Sequence, residues 1–159
     1  MMKKVLVLFL MFSGIYAFTQ KLETKLYDSE NYSITFPDTW ISANDNGIVN
    51  IFPTNQIGAI TISEYEDLDL PKTETKKFIL ALYKSEDDEK KIKTSGSKKG
   101  YTEYDYEYFD EHDKTFWNTK VFQKNKKLYL ITISCQQKYW NGNYMKLFSE
   151  AFESFKIKK

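Results

Sequence analysis

Asp110-Glu111-His112-Asp113 brings together three carboxylates and the chain's one histidine, side chains able to coordinate a divalent cation. Asp110, His112 and Asp113 are the candidate ligands. The same four residues also suit a hairpin turn, where aspartate is a frequent former, and adjacent side chains on a short loop tend to diverge. Just upstream, Glu103, Asp105 and Glu107 alternate. On a strand they stand about 7 Å apart, a spacing that glycoside chemistry can use and that any charged strand also produces. With no second histidine, no serine–histidine–acid set can be assembled. Neither a glycine-rich phosphate loop nor a His-Glu-x-x-His pair occurs. Cys135, the one cysteine, ends an apolar run and reads as a small buried hydrophobe. The expectation is a protein that is not an enzyme and carries no cofactor.

Aromatic content is the unusual feature, with 12 Tyr, 12 Phe and 3 Trp. Most of these rings are expected in the core. Tyr101, Tyr139, Trp140 and Tyr144 are the ones expected to line a groove or a partner surface, since aromatic grooves without charge suit a peptide, glycan or lipid-like ligand. The basic residues are all lysine, 23 of them against 22 Asp+Glu. A balance this close to neutral, without the forked arginine side chain, argues against a nucleic-acid partner. The run Lys90, Lys91, Lys93, Lys98, Lys99 suits a solvated loop or edge strand, or a dock for an anionic partner.

Residues 1–19 read as a secretory signal, a basic start followed by the apolar stretch Val5–Phe18, with cleavage after Ala17 or Thr19. That stretch is short for a bilayer span, so no stable membrane insertion is expected after cleavage. The expected location is periplasmic or extracellular. Residues 20–159, roughly 140 in number, form a single domain large enough to bury a core.

The elements that must position these residues follow from periodicity. Residues 20–30 read as a polar lead-in. Strands are expected over 31–36, 47–52 and 58–65, the last apolar in both phases. A helix over 69–84 is capped by Asp69, with Pro71 in its first turn. A weak strand at 91–94 precedes a meander running from Tyr101 to Ser134. Its first strand sets Tyr104, Tyr106 and Tyr108 opposite in phase to Glu103, Asp105 and Glu107. A loop at 110–113 pairs Phe109 with Lys114, Tyr106 with Trp117, Tyr104 with Thr119 and Glu103 with Lys120. Leu128–Ser134 is apolar in both phases and should be central, covered by a helix on each face. A final helix, capped by Asn143 and running to about Glu153, carries the stripe Tyr144, Leu147, Phe148, Ala151, Phe152 and Phe155.

The opening NYSITFPDTW, with Tyr32, Ile34, Phe36, Pro37 and Trp40, and the closing Phe152-Glu153-Ser154-Phe155 resemble the two landmarks of the PsbP-like superfamily. That superfamily takes in PsbP, the Mog Ran-binding proteins and bacterial DcrB-type proteins. The resemblance implies an α+β fold, a twisted antiparallel sheet flanked by helices as an α/β/α sandwich. For function it implies a binding or accessory protein acting through an unknown protein or cell-envelope partner. The alternative is a carrier or sensor of a small apolar ligand in an aromatic groove. Neither the partner nor an oligomeric state follows from these residues.

Overall fold

The computed structural model describes residues 22–96, 100–140 and 142–158. The leader expected over 1–19, together with Lys98 and Lys99, lies outside them. Ten strands and two helices run in the order β1 (Thr24–Asp28), β2 (Tyr32–Pro37), β3 (Ile41–Asp45), β4 (Ile48–Phe52), β5 (Gly58–Tyr65), α1 (Lys72–Leu82), β6 (Lys93–Gly96), β7 (Thr102–Asp110), β8 (Thr115–Lys124), β9 (Lys127–Gln136), α2 (Asn143–Glu153) and β10 (Lys156–Ile157). The main sheet has seven strands in the order β3-β4-β5-β9-β8-β7-β6, and all of its pairings are antiparallel. A smaller sheet, β1-β2-β10, lies on one side of it.

β9 is central, as its two apolar phases require, and each phase feeds a different core. Leu128 and Leu130 meet Ile79 and Leu80 of α1, together with Tyr104, Tyr106 and Val121. Tyr129, Ile131 and Ile133 meet Phe148, Ala151 and Phe152 of α2, together with Tyr32, Ile34 and Phe36 of the small sheet. The expected α/β/α layering is therefore present, with a second sheet beside α2 that periodicity did not reveal. The two sequence landmarks meet in space. Thr35 N–H donates to Ser154 Oγ (2.8 Å), Ser154 Oγ donates to the Thr35 carbonyl (3.0 Å), and the Tyr32 and Phe155 rings lie 5.4 Å apart. Trp40, closing the first landmark, packs 4.6 Å from Phe148.

Three expectations are corrected. Asp69 does not cap α1: Pro71 holds the cap position in an extended conformation that delays the helix to Lys72, and Asp69 Oδ1 instead accepts from Gln123 Nε2. Asn143 is the first helical residue of α2, not its cap, because Gly142 occupies that position in extended backbone and no side chain caps the helix. The β7–β8 register is displaced by two: Phe109 pairs with Phe116, Tyr106 with Thr119 and Asp105 with Lys120. The loop is 111–114, because Asp110 still pairs with Thr115 and its Oδ1 turns back to accept from the N–H groups of His112 (2.9 Å) and Asp113 (3.2 Å). A two-residue displacement keeps every side chain on its face, so alternation alone does not distinguish the two registers.

Burial raises the hydroxyl pKa of Tyr32, Tyr83, Tyr106 and Tyr129, that of Tyr106 to about 12. The unfolded chain loses such protons near pH ~10 while the folded chain still holds them. The resulting stabilisation is complete below about pH 10 and is lost as pH rises through the folded values. Tyrosinate absorbance is therefore expected to rise in two stages, the second coinciding with loss of far-ultraviolet dichroism. A single stage with the fold intact would contradict the burial of these rings.

Candidate functional site

α2 packs against β2 and β9, leaving the part of the same sheet face formed by β7 and the start of β8 accessible. On this face the ladder places Phe109 beside Phe116, then Glu107 beside Asn118, then Asp105 beside Lys120. After β9 the chain turns through Gln137–Tyr139, held by Gln137 N–H donating to the Lys114 carbonyl (2.8 Å). That turn brings Trp140 onto Phe116, with ring centroids 4.7 Å apart, and Phe116 lies 4.4 Å from Phe109. All three rings are partly exposed. The β7–β8 tip and the segment after β9 thus build one aromatic row.

A cavity of about 350 Å³ opens at the next rows, lined by Lys91, Lys93, Asp105, Glu107 and Asn118. Burial pushes the Asp105 carboxyl above the usual carboxylate range, partly countered by Lys120. For Lys120, burial works against the charge but is outweighed by Glu153, Asp105 and Glu103, so its pKa is raised. Its ammonium is 2.7 Å from Glu153 Oε1 and 3.7 Å from Glu103 Oε1. The Glu103–Lys120 ion pair expected across the ladder therefore exists, but as a diagonal contact. Lys91 lies 2.5 Å from Asp87, which offsets its charge at the rim.

Of the four aromatic residues expected to form a surface, Trp140 enters the row directly. Tyr139 precedes it, with the Lys138 ammonium 4.8 Å from its ring. Tyr144 lies on the first turn of α2, where its hydroxyl accepts from Asn55 Nδ2 (2.8 Å). Tyr101 is elsewhere, packed edge-on against Phe122 at the far end of β8 (5.3 Å). Phe109, Phe116 and Asn118 were not singled out by sequence. One signal pointed to Phe109: it shares the odd phase of Glu103, Asp105 and Glu107 and puts an aromatic ring at the tip end of their polar face. At the tip, His112 is exposed, its Nε2 3.8 Å from Asp113 Oδ1, while Glu111 pairs with Lys114 at 2.7 Å. Among the described residues no group of three or more His, Cys, Asp or Glu side chains is arranged to hold a metal ion. Cys135 is buried, as expected of a small hydrophobe, and burial raises its thiol pKa.

Against solved structures, the chain superposes on cyanobacterial PsbP (CyanoP) from Synechocystis sp. PCC 6803 with a TM-score of 0.64, over 92% of this chain and 99% of that one, at 15% identity. The fold is PsbP-like. A second similar structure, from Bacteroides thetaiotaomicron, gives a TM-score of 0.57 at 11% identity over 85% of this chain and 48% of that one, so the chain spans about half its length. No protein-family model and no curated protein sequence matches. At these identities the PsbP-like likeness extends to architecture alone. Among the described residues no helix is long and apolar enough to cross a membrane.

Proposed function

We propose that the chain is an exported, non-enzymatic binding or accessory protein of the cell envelope. On this reading residues 1–19 are the export leader, residues 20–159 form one binding unit, and the strip from Trp140 and Phe109 to Asp105 is where it binds. The observation that carries the reading is the partly exposed aromatic row Phe109–Phe116–Trp140 next to an open polar cavity. Rings that hold one another in place offer apolar contact with little ordering cost, and the adjoining polar groups supply orientation. Asp105 and Glu107 come from one strand and reach the cavity from the same side. That favours hydrogen bonding over glycoside cleavage, in which two carboxyls flank the scissile bond.

Cell fractionation with N-terminal sequencing should find the protein outside the cytoplasm, beginning shortly after Ala17 or Thr19. Envelope material captured by the wild-type chain should include a component lost from a Phe116→Ala variant of unchanged dichroism. Cytoplasmic retention, or identical recovery by both chains, would sink the reading. The carrier alternative draws on a different feature, a cleft of about 300 Å³ between β2 and α2 lined in part by Leu22, Phe36, Leu147 and Ala151. Lipid co-purifying with the protein and insensitive to Phe116→Ala would favour that alternative.

A further inference from the structure

We propose that the β7–β8 strip binds a neutral, hydroxyl-rich ring compound, a small saccharide or a segment of a longer glycan. The proposal rests on the binding reading above and specifies its ligand. Charge is the first consideration. Two ammoniums and two carboxyls line the cavity with the Asn118 amide, and the nearby Lys120 is already paired with Glu153 and Glu103. Because Lys91 is already paired with Asp87, Lys93 faces both Asp105 and Glu107, and such a lining disfavours an anion. It does retain many hydrogen-bonding positions, since carboxylate oxygens accept from several hydroxyls and the Asn118 amide both donates and accepts.

Geometry is the second consideration. Successive rows on a strand face are about 7 Å apart, so a ring resting against the partly exposed edges of Phe109 and Phe116 has its rim within reach of Glu107 and Asn118. A pyranose suits this arrangement because its C–H face is apolar and its edge carries hydroxyls. The volume of about 350 Å³ falls within the range of small-molecule sites. An anionic bilayer is a poorer match, because the tip beside the rings exposes Asp113 while its one lysine, Lys114, is offset by Glu111.

The test titrates the exported protein with uncharged gluco-, xylo-, manno- and chito-oligosaccharides, with oligouronates as anionic controls, followed by calorimetry and by NMR of the Asn118 amide and Trp140 indole. Parallel sedimentation with insoluble polysaccharides distinguishes a free sugar from an envelope glycan. Saturable binding of a neutral set that shifts both signals is the expected result. Phe109→Ala should weaken it about tenfold, the loss of one apolar contact. Glu107→Gln, at an exposed position where folding is not at risk, should weaken it several-fold. Binding of none of the neutral probes, binding of the oligouronates alone, or binding indifferent to both variants would overturn the proposal. Should the Phe116-dependent envelope component still be captured in those cases, the binding reading survives and the saccharide assignment fails by itself. Should that component also be missing, both fall.

Discussion

Truncation of Phe148 to alanine is expected to remove about 3–5 kcal/mol of stability, the usual range for deleting a fully buried phenylalanine. The side chain has no exposed surface, packs 4.6 Å from Trp40, and forms part of the core that joins α2 to both sheets. The surrounding strands cannot collapse into the space, because the β5–β9 ladder runs beneath it. Since a domain of this size has only about 5–15 kcal/mol in total, the loss is a large share. Denaturant unfolding followed by dichroism reads it directly, with Leu82→Ala on the exposed side of α1 as a control expected within about 0.5 kcal/mol. Equal effects of the two substitutions would mean that α2 does not seat on the sheet as described.

Gly58→Ala is expected to destabilise by about 1–3 kcal/mol or more, as overpacking at a rigid site does. A β-carbon at Gly58 would lie 2.5 Å from the Ser134 carbonyl oxygen and 3.1 Å from the Phe148 ring. The ring can rotate or shift, but the carbonyl belongs to β9 at the centre of the sheet. Relief therefore requires parting β5 from β9 at the Gly58–Cys135 and Ala59–Ser134 pairs. Gly96→Ala, where an added carbon meets nothing within 4 Å and the φ is not in the left-handed region, is the matching control. A Gly58→Ala midpoint indistinguishable from Gly96→Ala would contradict the close approach. Combining Gly58→Ala with Phe148→Leu should be non-additive, because the two residues share the same space.

Much of the architecture was legible because burial leaves a period in the sequence. β5 occupies the residues 58–65 expected from its β-branched run, and the two apolar phases of Leu128–Ser134 correctly implied a covered strand. β1 and β3 left no such trace. Every residue of β3 is exposed, and β1 has only Tyr27 partly covered, so neither strand needs an alternating pattern to exist. β10 is two residues long and owes its place to pairing with β2. The caps were misplaced for a local reason: proline and glycine set the backbone at each helix start, so the polar side chains expected to cap them are not used. At the candidate site, Trp140 was visible as an aromatic residue outside the strand alternation. The row it completes joins three separate segments, and pairing rather than composition brings Phe109 and Phe116 together. Tyr101 shows the converse, an aromatic residue like the others in kind but at the opposite end of β7 from Phe109.

The strand order carries one more consequence, for how the chain reaches this structure. Within the main sheet, β3, β4 and β5 are neighbours in sequence, and so are β6, β7, β8 and β9. The two groups meet only at the β5–β9 ladder, whose partners, from Gly58–Cys135 to Tyr65–Leu128, are dozens of positions apart. Each group can form from short hairpins at low entropic cost, whereas joining them closes a long loop that includes α1. Both cores divided by β9 therefore draw on this non-local pairing. Until it forms, β5 and β9 each present an unpaired apolar edge, and crowding at Gly58 would bear on that seam.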